Sequence, residues 1–524
     1  MTLQLERTSA DVGWAGDLTG GQVVDEVTAQ AVCGLMHVHG RSQGKPTGLG
    51  VDYCRTATRV LTGAGMLAAR ISAMRGKFVT AVRTSVAQSA LLTVSQYLAA
   101  AAGPEAAPTG PGGPPFRSAD GVLFEVDMLD AGIWLDFWLP AGAPPDAIRA
   151  GWLPFQFRYA TAAAPLPQAL HDAASGLGFA ELAGMAQRAG ASICALVSLA
   201  ERREDPVGPA WELRSLGVGD YQGSAAGPLP LSGFVVLEAG RRVQAPLAAH
   251  LLGLLGAEVV RIEPPGGDPL RGMPPMAGDT SARWLALNRD KAAVEIDIKD
   301  PAGRQDLKAL VAYADVFLHN WAPGKAEHLG LGAADLAKVN PALVYAHTSG
   351  WANRLTDPPL GTDFMVQART GLGAAVRPAD EPPAPSLMTL LDVLGGLLGA
   401  HAILGGLLHR ERTGESCRVE SSLLAAADLL QQGVANRPRP GFRRPRPTAD
   451  GWCAPADADV FEAAEHDLTD MSTSDALALL ARKGLRAAPV TTDLALLPGD
   501  PRFADVIELD AHGCPAVRTP WRFE

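Results

Sequence analysis

Two segments of this chain, DEVTAQAVCGLMHVHGR (25–41) and TDFMVQARTGLGAAVRP (362–378), are copies of one pattern set 337 residues apart. Gln30 falls on Gln367, Gly34 on Gly371 and Leu35 on Leu372. The same offset carries Leu67, in GAGMLAAR, onto Leu404, in GAHAILGG, with no gap between the anchors. The fold must therefore accommodate two related units. It also carries Arg55 onto Asp392, at the head of a long apolar segment. One copy has a base where the other has an acid, which points to one active centre per chain.

The repeat organises the rest of the sequence. AMRGKFVTAVRTSVAQSALLTVSQ (73–96) matches HRERTGESCRVESSLLAAADLLQQ (409–432), and SADG (118–121) matches TADG (448–451) at an offset of 330. MAQRAGASICAL (185–196) then matches LLARKGLRAAPV (479–490) at an offset of 294, so the second copy lacks 36 residues. The first copy keeps them as an aromatic-rich stretch, GIWLDFWLPAGAPPDAIRAGWLPFQFRY. Conversely, residues 231–350 have no counterpart in the first copy. The seam, DYQGSAAGPLPLSG (220–233), reads as a Gly/Pro/Ser linker. The expected organisation is a partial copy with a small domain at 1–225, a linker at 226–233, and a fuller copy with a shortened small domain at 234–524.

Between 231 and 350, short apolar runs alternate with amphipathic stretches. FVVLEAG (234–240), VVRIEP (259–264), AVEIDIK (293–299), DVFLHNW (315–321) and ALVYAHTSG (342–350) read as strands. APLAAHLLGLLGAE (245–258) and PAGRQDLKALVAYA (301–314) read as helices, the second with Pro301 in its first turn and Asp300 as N-cap. Alternating strands and helices imply an α/β fold with an open, mostly parallel sheet, joined here to a smaller α+β subdomain. Ligands of such sheets sit at the carboxyl ends of the strands.

Composition removes several function classes. Hydrophobic residues make up 47% and charged ones 19%, which suits a well-buried enzyme. The net charge is −11 and no basic run interleaves with aromatics, so a nucleic-acid surface is not expected. The arginines of RPRPGFRRPRP (437–447) read as a solvated, extended linker. Six scattered cysteines show neither CxxC nor zinc spacing, which argues against a metal and for reduced thiols in a cytoplasmic protein. The stretch MTLQLERTSADVGW is too polar and acidic for a signal peptide. LLDVLGGLLGAHAILGGLL (390–408) is nearly long enough to span a membrane, yet Asp392 and His401 would be costly in lipid. Its five glycines fit close packing in a helical core instead.

The run PLSGFVVLEAGRRVQAPLAAHLLGLLGAEVVRIEPPGGDPLR (230–271), followed by LNRDKAAVEIDIKDPAGR (287–304), VFLHNWAPGKAEHLGL (316–331), FMVQARTGL (364–372) and LLDVLGGLLGAHAILGGLLHRERTG (390–414), resembles the class III CoA-transferases. These include formyl-CoA transferase, carnitine CoA-transferase and the α-methylacyl-CoA racemases. About 185 residues follow one another in family order, and the first 225 resemble the family's later part. The resemblance implies a Rossmann-like sheet of that family's type and a fused, partly degenerate duplication. It also implies a nucleophilic aspartate 22 residues before the glycine of an R-x-x-TG turn, met here by Asp392, Arg410, Thr413 and Gly414. Such a carboxylate attacks a donor thioester and carries CoA as an aspartyl thioester, which is nucleophilic covalent catalysis. The plain alternative is that Asp392 only caps an apolar helix.

The same resemblance assigns Gln244 a place beside the thioester, with Val243 and Ala245 as its neighbours at CoA. It adds Arg271 of GGDPLR, Asn288 and Lys291 of LNRDK, and Asn320, Trp321, Pro323, Gly324 and Lys325 of NWAPGK as CoA contacts. His328 stands where formyl-CoA transferase has an arginine, and Asp363 matches an acidic position beside the active centre. Thr362 replaces the proton-transferring histidine of the racemases, which need two opposed acid/base groups. The expected activity is therefore transfer of CoA from an acyl-CoA to a carboxylic acid, with CoA as substrate and no tightly bound cofactor. A CoA-dependent racemase, lyase or dehydratase, or a non-catalytic acyl-CoA-binding relative, are the alternatives. Family members form interlocked dimers, so this chain is expected to imitate part of such a pair internally, with a homodimer left open.

Overall fold

The computed structural model describes residues 8–101, 103, 110–202, 205–219, 221, 223 and 227–524. In the N-terminal part, strand β1 (Ser9–Gly13) lies parallel to β2 (Ala81–Ser85). Between them run helix α1 (Glu26–Val32) and the long helix α2 (Tyr53–Met74). Next come β3 (Leu123–Asp127) and β4 (Ser192–Ala195), an antiparallel pair in a small lobe, and β5 (Trp211–Val218).

The C-terminal part opens with β6 (Val235–Ala239), helix α3 (Gln244–Leu254), β7 (Glu258–Glu263), β8 (Ala292–Glu295), β9 (Val316–His319) and β10 (Val344–Ser349). Helices α4 (Asp363–Arg369) and α5 (Leu390–Thr413) lead to β11 (Glu415–Ser422). A second small lobe holds β12 (Trp452–Pro455) and β13 (Ala487–Pro489), and β14 (Arg522–Phe523) is the last strand.

Seven strands form the main sheet in the order β8-β7-β6-β9-β10-β11-β5. All neighbours are parallel except β5, which runs antiparallel to β11 at one edge. The six parallel strands have the doubly wound order, 3-2-1-4-5-6, and the winding reverses between β6 and β9. The apolar runs of the central strands β6, β9 and β10 are covered on both faces, as parallel sheets require, whereas edge strand β8 is largely exposed. The five strand segments read from the sequence all lie here. Edge strand β5 and its neighbour β11 carry alternating polar residues and were not anticipated. Asp300 occupies the N-cap of its helix, but its side chain makes no capping hydrogen bond.

Helix α5 is apolar on every side and therefore has no solvent face. It is long and apolar enough to cross a membrane, yet 89% of its most apolar window is buried in the protein. It packs against α2, α3 and the sheet, and its glycines permit the close approach. A Cβ at Gly396 would stand 2.9 Å from the Gln244 carbonyl oxygen, and one at Gly405 would meet the Trp211 ring at 2.4 Å. Gly414, at φ 75°, ends the helix in the left-handed cap that glycine favours.

The repeat is visible in atomic detail. Ser85 and Ser422 cap equivalent helices, accepting from the Gln88 and Ala425 N–H groups. Gln30 Oε1 accepts from Leu49 N at 2.8 Å, and Gln367 Oε1 from Ser386 N at 2.8 Å. The two units also exchange parts. Strand β5, from before the seam, extends the C-terminal sheet, while β14, from the far end of the chain, pairs with β2. Residues 220, 222 and 224–226 of the seam lie outside the described residues.

The aromatic-rich stretch is a folded lobe rather than a spacer. Trp134, Trp138, Phe116, Phe124, Phe137 and Phe155 are fully buried in one core, with the Trp134 and Phe155 rings 4.6 Å apart. This first lobe packs on α4, and the second lobe packs on α1. The run at 437–447 is not a solvated linker. Arg443 is 6% exposed and donates to the Leu49 and Val51 carbonyls and to Asp52 and Asp457. Arg437 donates to the carbonyls of Pro378 and Glu381. Guanidinium groups with this many acceptors in reach become anchors, whatever the prolines between them suggest.

Candidate active site

Asp392 is the third residue of α5, in its first turn. The N-cap is Thr389, held in the left-handed region at φ 54°, so Asp392 is not a capping residue. The cap role falls to Asp363, whose Oδ2 accepts the N–H groups of Leu391 and Asp392, both at 2.7 Å. Gln367 donates to the other oxygen of Asp363 at 2.5 Å. Two carboxyls are thus set side by side at a buried helix start. Burial pushes the Asp392 carboxyl up to about 8, helped by the charges of Asp363 and Asp127 and opposed by Arg242. Burial also raises Asp363, to about 6, against its hydrogen bonds from Gln367 and the two N–H groups. The pair titrates jointly.

Around Asp392 lies a small cavity of about 30 Å³ that takes its walls from both repeats. The C-terminal part supplies Arg242, Thr362, Asp363, Phe364 and Asp392; the first lobe supplies Asp127, Met128, Leu129, Gln156, Arg158 and Tyr159. Thr362 donates its hydroxyl to Asp127 across the junction. Arg158 pairs with Asp127 at 3.3 Å and Glu125 at 3.5 Å and lies 4.6 Å from the Phe364 ring. Gln244 is buried against Gly395, one turn along α5, and donates to the Ser349 carbonyl at 3.4 Å.

A larger cavity, about 300 Å³, opens at the carboxyl ends of β6, β7, β8 and β9, where the winding reverses. Its lining includes Gly240, Arg241, Glu263, Lys299, Trp321 and Lys325. Burial, helped by the charges of Arg241 and Lys299, lowers the Lys325 ammonium from its usual range. Glu263 and Asp268 of the lining are paired with Arg261, which leaves Arg241, Lys299 and Lys325 beside Asp297 in a strand-end crevice, an arrangement that suits an anionic ligand. The consecutive residues Arg241 and Arg242 line one cavity each.

The remaining expected contact residues divide sharply. Trp321 and Lys325 line the crevice, and Pro323, Gly324 and His328 are exposed beside it. Asn320 pins Arg241, accepting from its N–H and donating to its carbonyl, both at 2.9 Å. Arg271 faces Glu263 and lies 3.8 Å from the Trp284 ring. Lys291 points inward: its ammonium donates to Glu238, the Pro246 carbonyl and Asn288, at 3.0, 2.8 and 2.9 Å. Asn288 also accepts from the buried Arg261, at 2.7 Å. Val243 and Ala245 have buried side chains in the main core. Sequence reasoning passed over Arg241, Arg242, Lys299 and the first lobe's Asp127, Arg158 and Tyr159. The signal for the first two was present, as charges between a strand end and the VQAP helix start.

In the first repeat the same framework surrounds a different centre. Glu26 takes the part of Asp363, accepting from Cys54 N at 2.9 Å and Arg55 N at 3.0 Å. Arg55 occupies the place of Asp392 and is exposed, 3.8 Å from Asp52. Asp457 of the second lobe stands where Asp127 stands over Asp392, and Arg443 fills the space between them with its hydrogen bonds. Among the described residues, no three His, Cys, Asp or Glu side chains gather to hold a metal ion.

Residues 16–212 and 231–508 match the model of CoA-transferase family III, and the chain belongs to that family. It is 36% identical to succinyl-CoA:glutarate CoA-transferase of Mus musculus over 229 residues, 43% of this chain and 52% of that protein. It is 37% identical to the succinyl-CoA–L-malate CoA-transferase beta subunit of Chloroflexus aurantiacus over 201 residues, 37% of this chain and 49% of the relative. The chain thus spans about half the length of the curated relatives it matches. A CAIB/BAIF family protein from Brucella suis superposes with a TM-score of 0.50 at 26% identity, covering 56% of this chain and 93% of its own.

Proposed function

We propose that the chain transfers CoA from an acyl-CoA to a carboxylic acid through an aspartyl-CoA thioester on Asp392. The observation that carries this reading is the position of Asp392: a helix-start carboxyl facing a pocket, beside the switch-point crevice with its three cations. The CoA phosphates would lie against Arg241, Lys299 and Lys325, and the pantetheine arm would run past Arg242 to Asp392.

The ionised Asp392 carboxylate attacks the thioester carbonyl and expels CoA thiolate, leaving a mixed anhydride. The thiolate attacks the aspartyl carbonyl of that anhydride, releasing the donor acid and forming the aspartyl thioester. The acceptor carboxylate repeats both steps in reverse order, and Asp392 is regenerated. The Gln244 amide, which donates to the Ser349 carbonyl, would turn a proton to the developing oxyanion, a contribution worth about 10²–10³ in rate where such donors have been removed. Asp363 fixes the two backbone N–H groups and holds the helix start in place. The relatives named for CoA transfer support this reaction over racemisation, as does Thr362, which has no proton to exchange with a carbon acid near neutrality.

The decisive experiment combines two measurements. Asp392→Ala should abolish transfer while CoA binding stays near the wild-type value. Hydroxylamine should inactivate the wild type only when acyl-CoA is present, by cleaving the aspartyl thioester. Undiminished turnover in Asp392→Ala would overturn the assignment.

A further inference from the structure

Arg242 has an unusual situation. Its backbone adopts φ 62°, a region that favours glycine, so a side chain there carries local strain. Its guanidinium lines the Asp392 pocket, lies 5.4 Å from the Tyr159 ring, and forms no ion pair or hydrogen bond among the described residues. The other arginine of the pocket, Arg158, is buried and committed to Asp127, Glu125 and the Val126 and Phe155 carbonyls. Of the lining residues, Leu129, Gln156 and Arg242 are exposed and form the rim; Asp127, Met128, Arg158, Asp363 and Phe364 are buried. An acyl group whose reacting carbon reaches Asp392 has little room in a cavity of about 30 Å³. Its far end therefore returns to the rim, where the one uncommitted charge is positive.

We infer that Arg242 is a specificity residue that holds the distal carboxylate of a short dicarboxylic acyl group, in the CoA donor and in the acceptor acid alike. A planar guanidinium accepts a carboxylate through two parallel hydrogen bonds, a geometry that lysine cannot reproduce. The pocket's other charges exclude rival sites for that carboxylate, because Asp363 and Asp392 repel it and Arg158 is already neutralised. This inference rests on the transferase reading for its acyl-CoA substrate. The named relatives agree in kind, since succinyl, glutarate and malate are all dicarboxylic.

The test is a binding comparison in an Asp392→Asn background, where no turnover confuses the result. Succinyl-CoA and butyryl-CoA share a four-carbon chain and differ in the terminal carboxylate. With Arg242 present, calorimetry should give at least about a tenfold preference for succinyl-CoA, as expected of a charge-assisted bidentate pair. Arg242→Gly, which also relieves the backbone strain, should bring the ratio of affinities close to one. Arg242→Lys should give an intermediate ratio. A ratio near one with Arg242 in place, or one unchanged by Arg242→Gly, would overturn the inference. Failure to trap an aspartyl thioester would instead count against the transferase reading, and the binding ratio would stand or fall independently.

Discussion

Tyr53 donates its hydroxyl to the carbonyl oxygen of Leu390 at 3.0 Å, and these two residues occupy the same position in the two repeats, 337 apart. A contact between equivalent residues, with the two small lobes exchanged between the units, fits a local twofold axis passing between them. Helices α2 and α5 therefore meet at such an axis, each beginning near the other's start. The packing has the form of an isologous interface, with one surface meeting a copy of itself. Each repeat lends its small lobe to the other: the first covers Asp392, and the second packs on α1 beside the equivalent junction, where Arg55 stays exposed. One chain thus builds two related junctions, of which one presents a carboxyl and the other is filled.

The joint titration at the live junction gives the first prediction. On the proposed mechanism Asp392 attacks as the ionised form, and burial beside Asp363 and Asp127 raises its carboxyl to about 8. Transfer measured as kcat/KM should therefore climb through about pH 8 and level off above about pH 9. Asp363→Asn keeps an oxygen for the two N–H groups but removes the neighbouring charge, so its profile should move to lower pH. The sign for stability is opposite. A folded carboxyl raised above its unfolded value stabilises at acid pH and loses that contribution as pH rises through its folded value. Asp392→Asn, neutral throughout, should gain stability over the wild type most clearly above pH 8, by several kcal/mol at about 1.4 kcal/mol for each pH unit the carboxyl is displaced. A pH profile unmoved by Asp363→Asn would break the coupling argument.

The second prediction concerns the filled junction. Arg55→Asp restores a carboxylate at the equivalent place, under the same buried acid, Glu26. It should not create a second centre. Of the main sheet, the first repeat retains a parallel pair, β1 and β2, without the switch-point crevice that would deliver a thioester. Titration with CoA should give one equivalent per chain before and after the change. Two equivalents in the wild type would contradict the single-site reading.

Much of this was legible from residues and some was not. The strands of residues 234–350 stood out because parallel, doubly covered strands are continuous apolar runs. The repeat located Asp392 opposite Arg55 without any coordinates. Lys291 misled because a lysine in a polar loop looks solvated, and its buried partner Glu238 is 53 residues away. Asp127 was unreadable as a site residue for the same reason at longer range: it meets Thr362 across 235 residues. The arginine–proline run misled because composition records how a segment behaves alone, whereas Arg443 is defined by acceptors on Leu49, Val51 and Asp52.

That arginine supports the third prediction. Arg443→Ala removes hydrogen bonds to two buried carbonyls and to Asp52 and Asp457, and it leaves the Leu49 carbonyl only a 3.5 Å contact from Gln30. Asp52 and Asp457 are partly exposed, so their share is softened by solvent. The cost should be about 2–4 kcal/mol, dominated by the lost charge-assisted hydrogen bonds and by the buried Glu26 left without this counter-charge. Denaturant unfolding measures it directly. Because Arg443 lies at the filled junction, CoA affinity should change little. A loss below about 0.5 kcal/mol, the usual range for surface substitutions, would show that the run is the solvated linker its composition suggests.

The exchange of lobes and strands supports the last prediction. A fragment 229–524 keeps Asp392, Gln244 and the strands that form the crevice. It loses Asp127, Met128, Arg158 and Tyr159 from the pocket, and it loses β5 from the sheet edge. Removing α2 also strips a long apolar face from α5, whose packing leaves it no solvent side. The fragment should be poorly soluble and, where recovered, inactive. Co-expression with fragment 1–228 should restore both properties, because the break falls in the seam and every lost contact is non-covalent. Restoration should fail when the first fragment is cut back to 1–115, which keeps α2 but omits the aromatic lobe. Full transfer activity from 229–524 alone would mean that the site needs no wall from the first repeat, and the cavity shared by the two repeats would then have no catalytic meaning.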